Sequence, residues 1–105
     1  MKLFAKEVKK IVVDNFPFLC VIDQRPENEF ISFKICPSVT KTSYYLILFS
    51  WKTNWVTNLC KPWVGSKLIK HAVSSGWSYK DKNAIVKLQN GDILIGLLGL
   101  DELTP

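Results

Sequence analysis

The stretch Thr42–Trp51, TSYYLILFSW, decides how the rest of the chain is read. It is rich in aromatic and aliphatic side chains and holds no Gly, Pro or charge, the composition of a β-strand. Tyr45, Ile47, Phe49 and Trp51 point to one face; Tyr44, Leu46 and Leu48 point to the other. Both sets are apolar, so the expectation is a central strand covered on both sides.

Working upstream, Glu29–Cys36 alternates, with Ile31, Phe33 and Ile35 inward and Ser32 and Lys34 outward, as in a half-buried antiparallel strand ended by Pro37. Phe18–Ile22 is a short apolar strand, and Asp23–Asn28 between them has turn chemistry. These three strands make a meander. Leu3–Asn15 is expected to be helical, because Phe4, Val8, Ile11, Val12 and Asn15 follow helical spacing and Pro17 stops the run. Its lysines, Lys2, Lys6, Lys9 and Lys10, fall largely outside that stripe.

Downstream, Lys52–Asn54 has turn composition, and periodicity leaves Trp55–Cys60 open between a strand and one helical turn. Pro62 suits a first helical turn, so a helix is predicted from there to Ser75, with Leu68, Ile69, Ala72 and Val73 on its apolar face and Gly76 as its C-terminal cap. Lys67, Lys70 and His71 fall on its outer side. Ala84–Leu88 and Ile93–Leu98 flank Asn90-Gly91, the strongest short hairpin signal, with Gly96 and Gly99 read as a bulge or a close backbone approach. The Val86–Asp92 pattern, Val-x-Leu-x-Asn-Gly-Asp, resembles hairpins of small SH3-like barrels and implies no activity, cofactor or partner. Asp101–Pro105 is an acidic tail expected to fray. The expected architecture is a single α+β domain over residues 1–105: a mainly antiparallel sheet (meander plus C-terminal hairpin), an N-terminal helix and a second helix near 62–75.

At 105 residues the chain suits one domain, and folding would bury roughly two-thirds of its unfolded surface. Hydrophobic content of 48% with 22% charge excludes a disordered chain. The longest apolar run, Tyr44–Phe49, is far short of the ~20 residues that span a bilayer. MKLF is followed at once by KEVKK, so no export signal is read and a cytoplasmic protein is expected, with no membrane partner. Cys20, Cys36 and Cys60 are widely spaced in apolar surroundings and are expected to be reduced, buried thiols; one disulfide plus a free thiol is the alternative.

The net charge of +5 is unevenly spread. Residues 52–87 hold seven Lys against Asp81 alone, whereas residues 88–105 hold three acids and no base. Arg25 is the sole Arg, which disfavours bidentate reading of phosphate or guanine.

Catalysis is excluded on composition. The single histidine, His71, rules out a two-histidine acid/base pair, and nothing in the spacing brings Cys60 to it as a nucleophilic dyad. Scattered Cys and one His make no metal site. Asp23, Glu27 and Glu29 lack the Glu-x-Lys of a paired-carboxylate nuclease, and Gly65-Ser66-Lys67 lacks the rest of a phosphate loop. No enzyme, metal or cofactor is therefore expected.

A binding surface is expected instead in Trp51–Lys87, which holds all four Trp among lysines. The candidate partner-binding residues are Trp55, Lys61, Trp63, Lys67, Lys70, His71, Trp77, Tyr79, Lys80 and Lys82. Trp and Tyr dominate protein-binding hot spots, and aromatics among cations also suit single-stranded nucleic acid. Trp55 and Trp77, with polar neighbours, are expected to be exposed. The favoured function is a non-enzymatic protein–protein interaction module of the inhibitor or immunity (antitoxin-like) type, docking on another protein with an acidic surface. The alternative is a basic nucleic-acid-binding protein using the Lys/Trp-rich segment 51–87.

Overall fold

The computed structural model describes residues 6–25, 29–39, 42–51, 59 and 61–100. Its elements in chain order are β1 (Lys6–Val13), β2 (Phe16–Asp23), β3 (Ile31–Pro37), β4 (Tyr44–Phe49), α1 (Pro62–Ser74), β5 (Ile85–Leu88) and α2 (Ile93–Leu97). The strands form one sheet in the order β1-β2-β3-β4-β5. The first three pairings are antiparallel and β4–β5 is parallel. This is the expected α+β architecture in a single domain, with two of its parts replaced.

The first replacement is the N-terminal helix. Its described part, from Lys6 onward, is strand β1. Helical spacing of the apolar residues was real but shared with a run of β-branched side chains (Val8, Ile11, Val12, Val13) that suits a pleated surface. The deciding signal is Asp14-Asn15, which closes the β1–β2 hairpin with φ of 52° and 65°. Positive φ at both positions of a two-residue loop is the hairpin turn whose twist matches its strands, and Asp and Asn tolerate it.

The second replacement is the C-terminal hairpin. β5 pairs with β4, and the chain then turns into α2. Asn90-Gly91 serves close packing instead. A Cβ on Gly91 would sit 2.5 Å from the Ile47 side chain and 2.8 Å from the Leu48 carbonyl oxygen, to which the Gly91 amide donates. The Asp92 carboxylate accepts from the amide and hydroxyl of Ser50, locking this turn to the end of β4. Beyond it, Leu94, Ile95 and Leu100 fill the core beside α1, a burial that a strand outside β5 would not supply. Gly96 marks no bulge: it stands exposed in α2, and Gly99, at φ 66°, follows that helix.

The helix predicted from Pro62 to Ser75 is α1, followed by Gly76 at φ 100°. It buries Val64, Gly65, Leu68, Ile69 and Ala72 and runs between the parallel strands, the long crossover that parallel pairing requires. Gly65 lets it approach β1, since a Cβ there would collide with the end of Ile11.

The core lies on one face of the sheet. Phe18, Cys20, Ile22, Ile31, Phe33, Ile35, Ile47 and Phe49 are fully buried there against α1 and α2. The loop after α1 caps one end with an aromatic cluster of Phe16, Phe18, Tyr45, Trp77 and Tyr79, rings 5.0–6.2 Å apart. Buried Ser43 holds that loop, donating to the Asp81 carbonyl and accepting from the Ala84 amide. The opposite face corrects the expectation of a sheet covered on both sides. Tyr44, Leu46 and Leu48 are only half-buried, and both helices pack on the other face. The Asn28 end of the first turn, the undecided segment 52–58 and the tail 101–105 lie outside the described residues.

Candidate docking face

Register assembles the open face in rows across the sheet. Lys6, Asp23, Ser32 and Leu48 form one row; Val8, Val21, Lys34, Leu46 and Lys87 form the next. Lys10, Leu19 and Cys36 follow, with Tyr44 and Ile85 paired beyond them, and then Val12 and Pro17. Aliphatic side chains of β2 and β4 flank the middle strand β3, which presents Ser32, Lys34 and Cys36, and further lysines stand toward the edges. Val8 and Val12 are 61% and 59% exposed and Ile85 is 49%, high values for β-branched strand residues. Monomeric proteins rarely leave a contiguous apolar area of this kind without a use for it.

Charge on this face is one-sided. Its one acid among the described strand residues, Asp23, is held by Arg25, whose Nε and Nη2 donate to the two carboxylate oxygens at 2.9 and 2.7 Å. Lys34, flanked across the sheet by Val21 and Leu46, places its Nζ 4.5 Å from the centroid of the Tyr44 ring. Beside it lies an open hollow of about 340 Å³, lined by Lys6, Val8, Val21, Asp23, Ser32, Lys34 and Leu46.

The two described thiols sit on opposite faces of adjacent strands and are free. Cys20 is buried, as expected, and burial pushes its thiol up to about 12. Cys36 departs from the expectation: it is half-buried on the open face, where partial burial raises its pKa and nearby Lys34 works the other way. Cys60, and with it any dyad with His71, lies outside the described residues.

The residues singled out from the sequence divide into three groups. Lys61, Trp63, Lys67 and Lys70 are exposed and His71 half-buried, all on or next to α1. Lys67 reaches 5.5 Å from the centroid of the Trp63 ring and donates to the Leu98 carbonyl at 3.1 Å. An open groove there, about 510 Å³, is lined by Lys67, Lys70, His71, Ser74, Leu97 and Leu98. Tyr79, Lys80 and Lys82 follow the far end of α1, a helix of thirteen residues and about 20 Å. Tyr79 belongs to the aromatic cluster, and Lys80 lies 5.8 Å from its ring.

Trp77 corrects the expectation of exposure. It is 5% exposed, packed on Phe18 and Tyr45, and its Nε1 donates to the Ala84 carbonyl at 2.8 Å. Polar sequence neighbours were misleading, because an indole whose N–H has a partner buries well among rings. Trp55 lies outside the described residues.

The open face was missed, yet a signal for it existed. Lys34 is outward on β3, and Leu46, its register partner on β4, must share that face. Among the described residues no helix is long and apolar enough to cross a membrane, and no three His, Cys, Asp or Glu side chains gather as metal ligands. Comparison of the chain with family models, curated proteins and solved structures gives no match.

Proposed function

We propose that this chain is a small non-enzymatic binding protein of the cytoplasm that acts by docking on another protein, in the manner of an inhibitor or immunity-type protein. The observation that carries the reading is the open sheet face, where aliphatic side chains from β1, β2, β4 and β5 stay accessible opposite a fully formed core. Accessible apolar side chains beside a few polar and charged ones are the make-up of a protein interface. Supporting it, the face is carried on a hydrogen-bonded sheet, so little ordering entropy is lost on docking.

A nucleic-acid reading draws on a different observation, the half-exposed Trp63 with Lys67 above it on α1. Among the described residues, one exposed indole and a short row of lysines offer a base-stacking platform of a single ring, which favours the protein reading.

The test uses Leu46→Asp, which sets a charge in the middle of the open face. A protein retained by the wild-type chain and released by the variant is expected, and it must rebind the purified wild-type chain alone. Titration with single-stranded oligonucleotides is expected to leave Trp fluorescence unchanged. Quenching that fades steeply with salt would transfer the function to nucleic acid.

A further inference from the structure

Resting on that reading, the lysines of the open face specify the chemistry of what docks there. Lys34 stands in mid-sheet between Val21 and Leu46, and among the described residues it has no carboxylate partner. The Tyr44 ring beneath it is a cation–π contact, not a counter-ion. Lys6, Lys10 and Lys87 lie on the same face, likewise without an ion pair among the described residues, and Asp23, across from Lys6, is already neutralised by Arg25.

We infer that the open face recognises a partner protein segment that sets an apolar side chain into the hollow beside Val8, Val21 and Leu46 and a carboxylate onto Lys34. A cation already partly removed from water within an apolar area is where an incoming carboxylate gains most, and opposite charge there also selects among partners. A second copy of this chain is the wrong occupant, because a two-fold pairing would set these lysines against one another. Nucleic acid is the wrong occupant for a different reason. Among the strand residues of this face the one aromatic ring is Tyr44, which already faces Lys34, and aliphatic side chains give bases no stacking surface.

The experiment pans the full-length chain against displayed random 12-residue peptides at physiological salt, with Leu46→Asp as the counter-selection. Recovered peptides are expected to join Leu, Ile or Phe with Asp or Glu. They should bind about tenfold more weakly to Lys34→Gln and shift the amides of Val21, Lys34 and Leu46 in the spectrum of the ¹⁵N-labelled chain. Binders that Leu46→Asp abolishes, but that lack acids and tolerate Lys34→Gln, would overturn the acidic partner and leave the docking face standing. No binders, or binders indifferent to Leu46→Asp, would overturn the docking face itself. A ten-nucleotide oligouridine that shifts the same amides, or a concentration-dependent dimer lost in Leu46→Asp, would overturn the inference in favour of nucleic acid or a second copy.

Discussion

The two faces of the sheet both carry aliphatic side chains, and those side chains do opposite work. Ile47 and Leu46 are neighbours on β4, yet one is fully buried under the helices and the other half-accessible. On the first face, hydrophobic side chains have helices to pack against and contribute stability. On the second, they lie against one another and a row of lysines, and their remaining accessible area is available to a partner. Hydrophobicity alone therefore does not tell a core from a docking face; what lies over it does.

The sharpest way to break this comparison is to truncate matched residues on each side. Phe33→Ala, on the covered face, is expected to lower unfolding free energy by about 3–5 kcal/mol, measured by denaturant titration. A loss below 1 kcal/mol would mean that the core lies elsewhere. Gly91→Ala presses a methyl group on Ile47 and the Leu48 backbone and should cost about 2 kcal/mol by the same measurement. No change would show that the turn at Asn90-Gly91 is free to move away from β4.

The cysteines sharpen the contrast chemically. In the native protein at pH 8, iodoacetamide is expected to modify Cys36 slowly and Cys20 only on global unfolding, read by mass spectrometry of the labelled peptides. Burial raises the Cys20 pKa from 9.0 to about 12, so the unfolded chain gives up this proton first as pH rises. The protonated thiol's contribution is whole below pH 9 and is lost as pH climbs to about 12. A smaller alkaline loss in Cys20→Ala is expected, and equal slopes for both proteins would contradict the burial of this thiol. The smallest effect belongs to the open face. Leu46→Asp should change stability by about 1 kcal/mol or less, and a core-sized loss would make that face a covered one.

Much of the fold was legible in local signals. The alternation of Ile31–Cys36, the apolar run of β4 and the Pro62 and Gly76 boundaries of α1 each act within a few residues. The two misread elements differ in kind. β1 turned on a local signal that the helical spacing masked, the Asp14-Asn15 turn, whereas Ile93–Leu97 is helical where Leu94 and Ile95 join a core built from distant parts of the chain. For the candidate surface, the sequence placed Lys67 and Lys70 on the outer side of α1, where both are exposed, but it looked to Trp55 and Trp77 for an exposed indole, not to Trp63. It could not reveal that Trp77 turns inward, since the Ala84 carbonyl that receives its N–H comes from the following loop. Nor could composition say that α1 and α2 would share one face and leave side chains of the other half-accessible.

The parallel pairing of β5 with β4 also has a consequence for the order of assembly. The β1–β2 hairpin closes over two residues, whereas Tyr44 meets Ile85 only after a long excursion through α1. Closing the longer loop costs more chain entropy before any contact repays it, so the meander is expected to form first. Pulse labelling during refolding should then protect amides of β2 and β3 before that of Val86, and simultaneous protection would refute this order. A nascent chain would thus display four strands with both surfaces bare, and its helices would have to arrive on the right one.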